Sequence, residues 1–346
     1  MDRRTFLKTT TAAAAASSTA AVAATPANGA PAIIGGDAEL TFALLPDTAG
    51  PLLTDTATRI AERLKQTVGA RINVVAADDS AAEANLHIAV PDVQSNAAHA
   101  FFDGLPGSHG LAADAFQAWL SVGGGQMLWD DLAAHDGWKP LLVNHTGSQP
   151  GLWSNHPLTS PSDLTGCSVA ISGLGGQVLA ALGATPMQVA ATDIAAKLTD
   201  GSLAAAEVGA PLTGLMLGLP QAASHYYTDG IHSAGRTTTL NIRLDVWEKM
   251  SASDRAILEG IAAQELALSL AEARAHAQLA RDAIAATPSL TIAPLPASLI
   301  AAVDASTADM LNEMTSQSPV ASRIHHSYQA FRKTIGDTID RMQTIS

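Results

Sequence analysis

The chain has 346 residues, 47% of them hydrophobic, enough to build one large or two ordinary domains around a sizeable core. Its formal net charge of −13 disfavours nucleic acid or an anionic membrane surface as a partner, since both need a basic footprint. The single cysteine, Cys167, excludes an intrachain disulfide framework and a cysteine-rich metal site; set among small apolar residues, it reads as a buried thiol.

The N-terminus, MDRRTFLK, carries Arg3-Arg4 and runs into an Ala/Ser/Thr stretch ending at Ala21-Val22-Ala23. Paired arginines, a weakly apolar stretch and small cleavage-site residues predict a twin-arginine export signal over 1–24, and hence a periplasmic protein. That leader holds Arg3, Arg4 and Lys8 against Asp2, so its removal makes the mature chain still more acidic. Residues 25–36 read as a flexible lead.

Leu40–Leu45 reads as a strand, and Asp55–Val68 as a helix with Ile60, Leu64 and Val68 on one face. Arg71–Val75 and Leu86–Val90 follow as strands in a β-α-β rhythm. The stretch DAFQAWLSVGGGQMLWDDLAAHDG holds helical pieces around a triple glycine and closes at Gly137, before the strand LLVNH. PLTSPSDLTG reads as a loop and short helix. CSVAIS is then a short buried strand that enters a glycine turn and a helix start. A helix ends at Leu198–Gly201, a buried segment spans 202–208, and Thr237–Leu244 is extended and β-branched. Ser251 and Asp254 supply capping chemistry for a helix reaching about Ala286, long enough to brace two lobes. TPSLTIAPLP gives a short strand, and two helices complete the chain.

The most apolar window beyond the leader, LAAAEVGAPLTGLMLGL, is broken by Glu207 and Pro211 and falls short of the roughly 20 apolar residues a membrane span needs, so no stable membrane insertion is expected. Alternating strands and helices indicate an α/β fold in two lobes. The expected division is 37–153 with about 241–286 as the first lobe and bracing helix, and 154–240 as the second lobe. The remainder, 287–346, is a C-terminal strand and helices packing across both.

Enzyme motifs are absent. Gly173-Leu174-Gly175-Gly176 begins a dinucleotide-binding pattern, but Val178 stands where the third glycine should be, and no phosphate-loop lysine follows. Gly147-Ser148-Gln149-Pro150-Gly151 lacks the spacing of a nucleophile elbow. None of the eleven histidines forms a zinc-binding HExxH, and His225 and His232 have no nearby third ligand. The chain does not read as an enzyme.

The segment from Ala118 to Trp247 carries a different signature: AWLSVGGGQMLWDDL, HTGSQPGLW, LTSPSDLTG, ISGLGGQVLAALGATPMQV, DGSLAAAEVGAP, LMLGLPQAASHYYTDGIH and RLDVWEKMSASDRAIL, with HHSYQAFRK nearer the C-terminus. In this order the motifs strongly resemble the periplasmic solute-binding subunit of TRAP transporters, in the subgroup associated with 2-oxo acids and related organic acids. The resemblance implies a two-lobed, Venus-flytrap binding protein that encloses a small organic acid in its cleft and delivers it to membrane permease subunits. It also implies a Na or Ca ion bridging ligand and protein. The matching metal positions are Gln149 in the T-G-x-Q-x-G-x-W motif that ends at Trp153, Glu207 in G-x-[IL]-x-A-x-E, and the carbonyl of Val208. A hard cation wants such oxygen ligands, and Glu207 is a charge among almost wholly apolar neighbours.

The chain departs from the family pattern at informative places. Ala170 stands where an arginine ordinarily grips the ligand carboxylate, and Val208 replaces a tryptophan. The chain is also shorter between Val75 and His87, and Leu105-Pro106-Gly107-Ser108-His109-Gly110-Leu111 replaces the usual V-P-F-G-L, exchanging a phenylalanine for a small polar insertion. His87 falls at a pocket-lining histidine of the family, and His232 matches as well. Arg236, standing at a usual proline, is the candidate to restore the charge missing at Ala170. The ligand-binding set is therefore Gln149, Glu207, Val208, Arg236, His87, His232 and Trp153. The alternatives are a neutral or unusual ligand on the same fold, and a non-transport sensor or interaction protein with a decayed pocket. The last helix allows either a monomer or a homodimer.

Overall fold

The structure, a computed structural model, describes residues 40–44, 51–68, 72–75, 83–147 and 151–345. The expected leader (1–24) and lead (25–36) lie outside the described residues. Among those described, the chain forms two sheets that share their helices.

The first sheet begins with β1 (Leu40–Ala43), α1 (Pro51–Val68), β2 (Ile72–Val75) and β3 (Leu86–Ala89). The β-α-β rhythm is real, since β1 pairs in parallel with both β2 and β3. Ile60 and Leu64 are fully buried from one face of α1, as their spacing predicts. Next come α2 (Ala100–Asp103), α3 (Ala113–Val122) and α4 (Gly125–Ala134), with the triple glycine separating the last two. β4 (Trp138–His145) closes the sheet edge.

The chain then crosses into a second sheet: β5 (Leu152–Ser154), β6 (Ser168–Ala170), α5 (Gly173–Ala181), β7 (Thr185–Met187), α6 (Ile194–Thr199), β8 (Ala205–Glu207), α7 (Pro211–Met216), α8 (Leu219–Ala222) and β9 (His225–Tyr227). It returns as β10 (Thr237–Arg243), antiparallel to both β3 and β4. The sheet orders are β2-β1-β3-β10-β4 and, with β11 (Thr291–Ala293), β11-β9-β5-β8-β6-β7. β5 thus joins the second sheet from Leu152 and β10 the first from Thr237, a few residues before the sequence-based limits. Backbone pairing, not the position of turn residues, decides where a strand changes sheets.

After α9 (Leu244–Lys249), α10 runs from Ala252 to Ala285, about 50 Å of helix. Its start carries the expected capping box: the Ser251 hydroxyl accepts from Asp254 N, and the Asp254 carboxylate accepts from Ser251 N. Leu258, Ile261 and Ala262 lie in the core beside β1 and β3, while Ile284 lies in the core with Trp153 and Ile194. One helix therefore contributes to the cores of both sheets. At its midpoint Glu265, fully buried, binds Arg59 at 2.6 Å and also Arg63, both from α1.

The last helices, α11 (Ala297–Gln317) and α12 (Pro319–Ile345), enter a third core. There Leu299, Val303, Ile324 and Tyr328 meet Phe101 and Trp119 on one side and Leu174 and Val178 of α5 on the other. Cys167 is half-buried rather than buried; its thiol donates to Asp163 O, and burial pushes its pKa up. No helix among the described residues is long and apolar enough to cross a membrane.

Candidate functional site

A cavity of about 740 Å³ opens where the strands of the two sheets end and where α10 passes between them. That is the size of a small-molecule site, and the carboxyl ends of strands are where α/β sheets place ligands. Ala89, Asn144 and Thr238 line it from the first sheet; Ser172, Glu207 and Val208 line it from the second.

Glu207 is the last residue of β8, paired to β5 at Leu152. Its side chain is 3% exposed. Oε2 accepts from the main-chain N–H of Ile231 (2.5 Å) and of His232 (3.2 Å), and Oε1 pairs with His232 Nδ1 at 2.6 Å. Gly175 N donates to His232 Nε2 at 3.2 Å, so that nitrogen carries no proton and Nδ1–H is the donor to Glu207. Only a glycine permits this arrangement, because a Cβ at 175 would fall on the imidazole, 2.3 Å from Cε1. The glycine turn of the sequence is thus a seat for a histidine that holds a glutamate.

Its first glycine serves a second cluster. Arg236 makes a two-pronged ion pair with Asp103, Nε to Oδ1 at 3.0 Å and Nη2 to Oδ2 at 2.7 Å, while Nη1 donates to Ser172 Oγ at 2.6 Å. Asp103 is fully buried. A Cβ at Gly173, whose φ is +67°, would fall on this ion pair. Burial alone would pull the Arg236 pKa down; the charge and hydrogen bonds of Asp103, with Glu207 nearby, outweigh it and raise the pKa. Thr146 fixes the base of this side chain, its N–H donating to Arg236 O and its hydroxyl accepting from Arg236 N, both at 2.9 Å. The guanidinium therefore ends two residues beyond Ala170, at the mouth of the strand from which an arginine was expected. Three of its five N–H donors are used, leaving two.

The predicted residues separate accordingly. Glu207, Val208 and Arg236 line the cleft together. Gln149 lies outside the described residues. His232 is fully buried behind Glu207 and positions it without lining the cavity. Trp153, 1% exposed, packs beneath Tyr226 at 4.5 Å and against Gly214, so it supports the wall without forming it. His87 also fails to line the cleft: β3 runs on to Ala89, which leaves His87 inside the strand and edge-on to Trp138 at 4.5 Å.

Sequence reading missed Asp103, Ser172, Thr146 and His145. The signal for Asp103 was faint, a lone acid closing the apolar run AFF. His145 lines the cleft at 3% exposure, and burial lowers its pKa to about 4 despite the opposing charge of Asp114.

A profile of the family described as bacterial extracellular solute-binding protein, family 7 (DctP) matches residues 112–318. A monocarboxylate 2-oxoacid-binding periplasmic protein of Nostoc sp. (strain PCC 7120) is 28% identical over 228 residues, 65% of this chain and 62% of that protein. The match thus spans less than two thirds of the relative's own length. Among solved structures, a TRAP transporter solute-binding protein from Bordetella bronchiseptica RB50, with calcium and picolinate bound, superposes with a TM-score of 0.79 at 22% identity, covering 89% of this chain and 96% of that one. One from Pseudoalteromonas atlantica T6c, with sodium and pyruvate bound, gives 0.79 at 20% identity over 89% and 99%. These structures share the two-lobed α/β fold.

Proposed function

The chain belongs to family 7 of the bacterial extracellular solute-binding proteins, and from that premise we propose that it captures a small organic acid together with a cation. It then hands the acid to the membrane permease subunits of a TRAP-type transporter. The observation that carries this reading is the local charge at Glu207; elsewhere the lining holds acids and arginines of both signs (Asp114, Glu272, Arg274, Arg281). Asp103 and Arg236 cancel, while Glu207 is held only by N–H groups of the main chain and an imidazole. An anionic ligand entering beside that surplus negative charge would be repelled unless a cation joined it.

The donors present suit such an ion. Glu207 Oε1 accepts one hydrogen bond and keeps a lone pair, and Val208, whose carbonyl is the second proposed ligand, lines the same wall. Gln149 is the third proposed ligand. Among the described residues no three His, Cys, Asp or Glu side chains form a cage, so the acid's own oxygens would complete the coordination. The bound cation would supply the charge that offsets Glu207. The two unused N–H groups of Arg236 would take the carboxylate in place of the arginine absent at Ala170. The relatives crystallised with calcium and picolinate, and with sodium and pyruvate, support this pairing of ion and acid.

In this reading residues 1–24 direct export by the twin-arginine route, the protein works in the periplasm as a receptor and not as an enzyme, and the lobes close over the ligand. Pyruvate or 2-oxopentanoate with Ca²⁺ or Na⁺ should raise the melting temperature, and a chelator should remove the Ca²⁺-dependent part. A ligand at 100 times its Kd adds about 2.7 kcal/mol. A second reading rests on the same surplus charge: a neutral or amine-bearing ligand that binds without any metal. Stabilisation by amino alcohols in the presence of chelator, with no response to the acids, would select it.

A further inference from the structure

We propose that Thr238 and Asn144 form a second subsite of the cleft, which reads a neutral oxygen function of the ligand away from its carboxylate. The inference rests on the organic-acid reading above and narrows the ligand class.

Thr238 on β10 stands directly opposite Asn144 on β4, beside an irregularity in the ladder between Thr238 and Thr239. Both residues line the cavity, and Thr238 is 4% exposed. Their neighbours have their polar side chains satisfied. Thr237 Oγ1 donates to Phe102 O, Thr239 Oγ1 donates to Ala89 O, and Thr146 Oγ1 accepts from Arg236 N. The Thr238 hydroxyl and the Asn144 amide make no hydrogen bond among the described residues and open onto the cavity. A polar group left unpaired when a cleft closes costs stability, so such a pair favours a ligand that satisfies it.

His145, one residue along β4 from Asn144, turns its ring to the other face of the strand, 6.0 Å from Phe116. Its Nδ1 accepts from Gly147 N at 3.1 Å, so its hydrogen sits on Nε2, which has no partner among the described residues. Burial keeps this ring uncharged at neutral pH, and the charged group acting on it is Asp114, which also lines the cavity. A hydroxyl and an amide in a cavity that Asp114 also lines suit a ketone, hydroxyl or amide oxygen and disfavour a second carboxylate. Thr238 lies two residues beyond Arg236, roughly 7 Å of extended chain between their backbones. The second oxygen therefore belongs apart from the carboxylate that Arg236 would hold.

Three five-carbon 2-oxo acids test this by calorimetry on the full mature chain with saturating Ca²⁺: 2-oxopentanoate, 2,4-dioxopentanoate and 2-oxoglutarate. The expected result is 2,4-dioxopentanoate binding about tenfold tighter than 2-oxopentanoate, with 2-oxoglutarate weaker than the dioxo acid. Thr238→Val should narrow the ratio between the first two to about twofold, and Thr238→Ser should restore it. Equal binding of 2-oxopentanoate and 2,4-dioxopentanoate by the parent protein, or a ratio unchanged in Thr238→Val, overturns the subsite while leaving the organic-acid reading standing. Failure of all three acids to bind overturns that reading and the subsite with it.

Discussion

Glu265 and Glu207 are buried to nearly the same depth, yet they are held in opposite ways. Glu265 meets two arginines of α1 and fastens that helix to the bracing helix α10. Glu207 makes no ion pair with an arginine or lysine among the described residues; Arg236, whose charge acts on it, is committed to Asp103. A buried charge matched by counter-charges is part of the architecture. One matched by dipoles alone, at the edge of a cavity, is poised for something that binds there.

The sharpest way to break this contrast is to remove each glutamate in turn. Glu207→Ala should abolish the Ca²⁺-dependent thermal shift with 2-oxo acids, an affinity loss of 100-fold or more in order of magnitude, because the proposed cation loses its only carboxylate. A variant that still responds to acid and Ca²⁺ together would show that the cation is held elsewhere. Glu265→Ala should leave ligand affinity within about twofold and lower stability by about 3 kcal/mol. The figure stays at the low end because Arg59 and Arg63 are partly exposed and can turn to water. Urea unfolding measures it; a loss of affinity larger than the loss of stability would erase the distinction between the two sites.

A smaller effect tests the cleft's own polar groups. Burial lowers the His145 pKa to about 4, so the folded protein resists a proton that the unfolded chain accepts near pH 6.5. The stabilisation is therefore complete above pH 6.5 and declines as pH falls toward 4. Between pH 6.5 and pH 5 the loss is about 2 kcal/mol. His145→Asn should flatten that part of the stability curve. If parent and variant lose equal stability over the interval, other groups carry the acid sensitivity.

The parts of the site that were legible in the sequence were those with a local signal. Glu207 stood out as one charge among small apolar residues, and Arg236 as a cation in a turn that precedes a strand. Asp103 did not stand out. It meets Arg236 across 133 residues of sequence, and nothing in AFFDG marks its partner. Ser172 was quoted within the glycine turn, but its contact with Arg236 spans 64 residues. His87 sits within the strand that the sequence predicts over Leu86–Val90, and its contact with Trp138, 51 residues away, is what turns its ring from the cleft. Trp153 and His232 belong to the right region and stand one layer behind the surface, a depth that motif spacing does not encode.

By itself, the sequence determined the alternation of strands and helices, the start of α10 at its Ser251–Asp254 cap, the acidic character of the chain and its family. These rest on periodicity, capping and composition, which act over a few residues. Only the tertiary structure decided that Gly173 and Gly175 serve an ion pair and a histidine, that Arg236 reaches Ser172 just past the end of β6, and that Thr238 and Asn144 line the cleft. Each of those depends on chain segments far apart in sequence meeting at the seam between two sheets, where close approach and burial, not local preference, set which groups are satisfied.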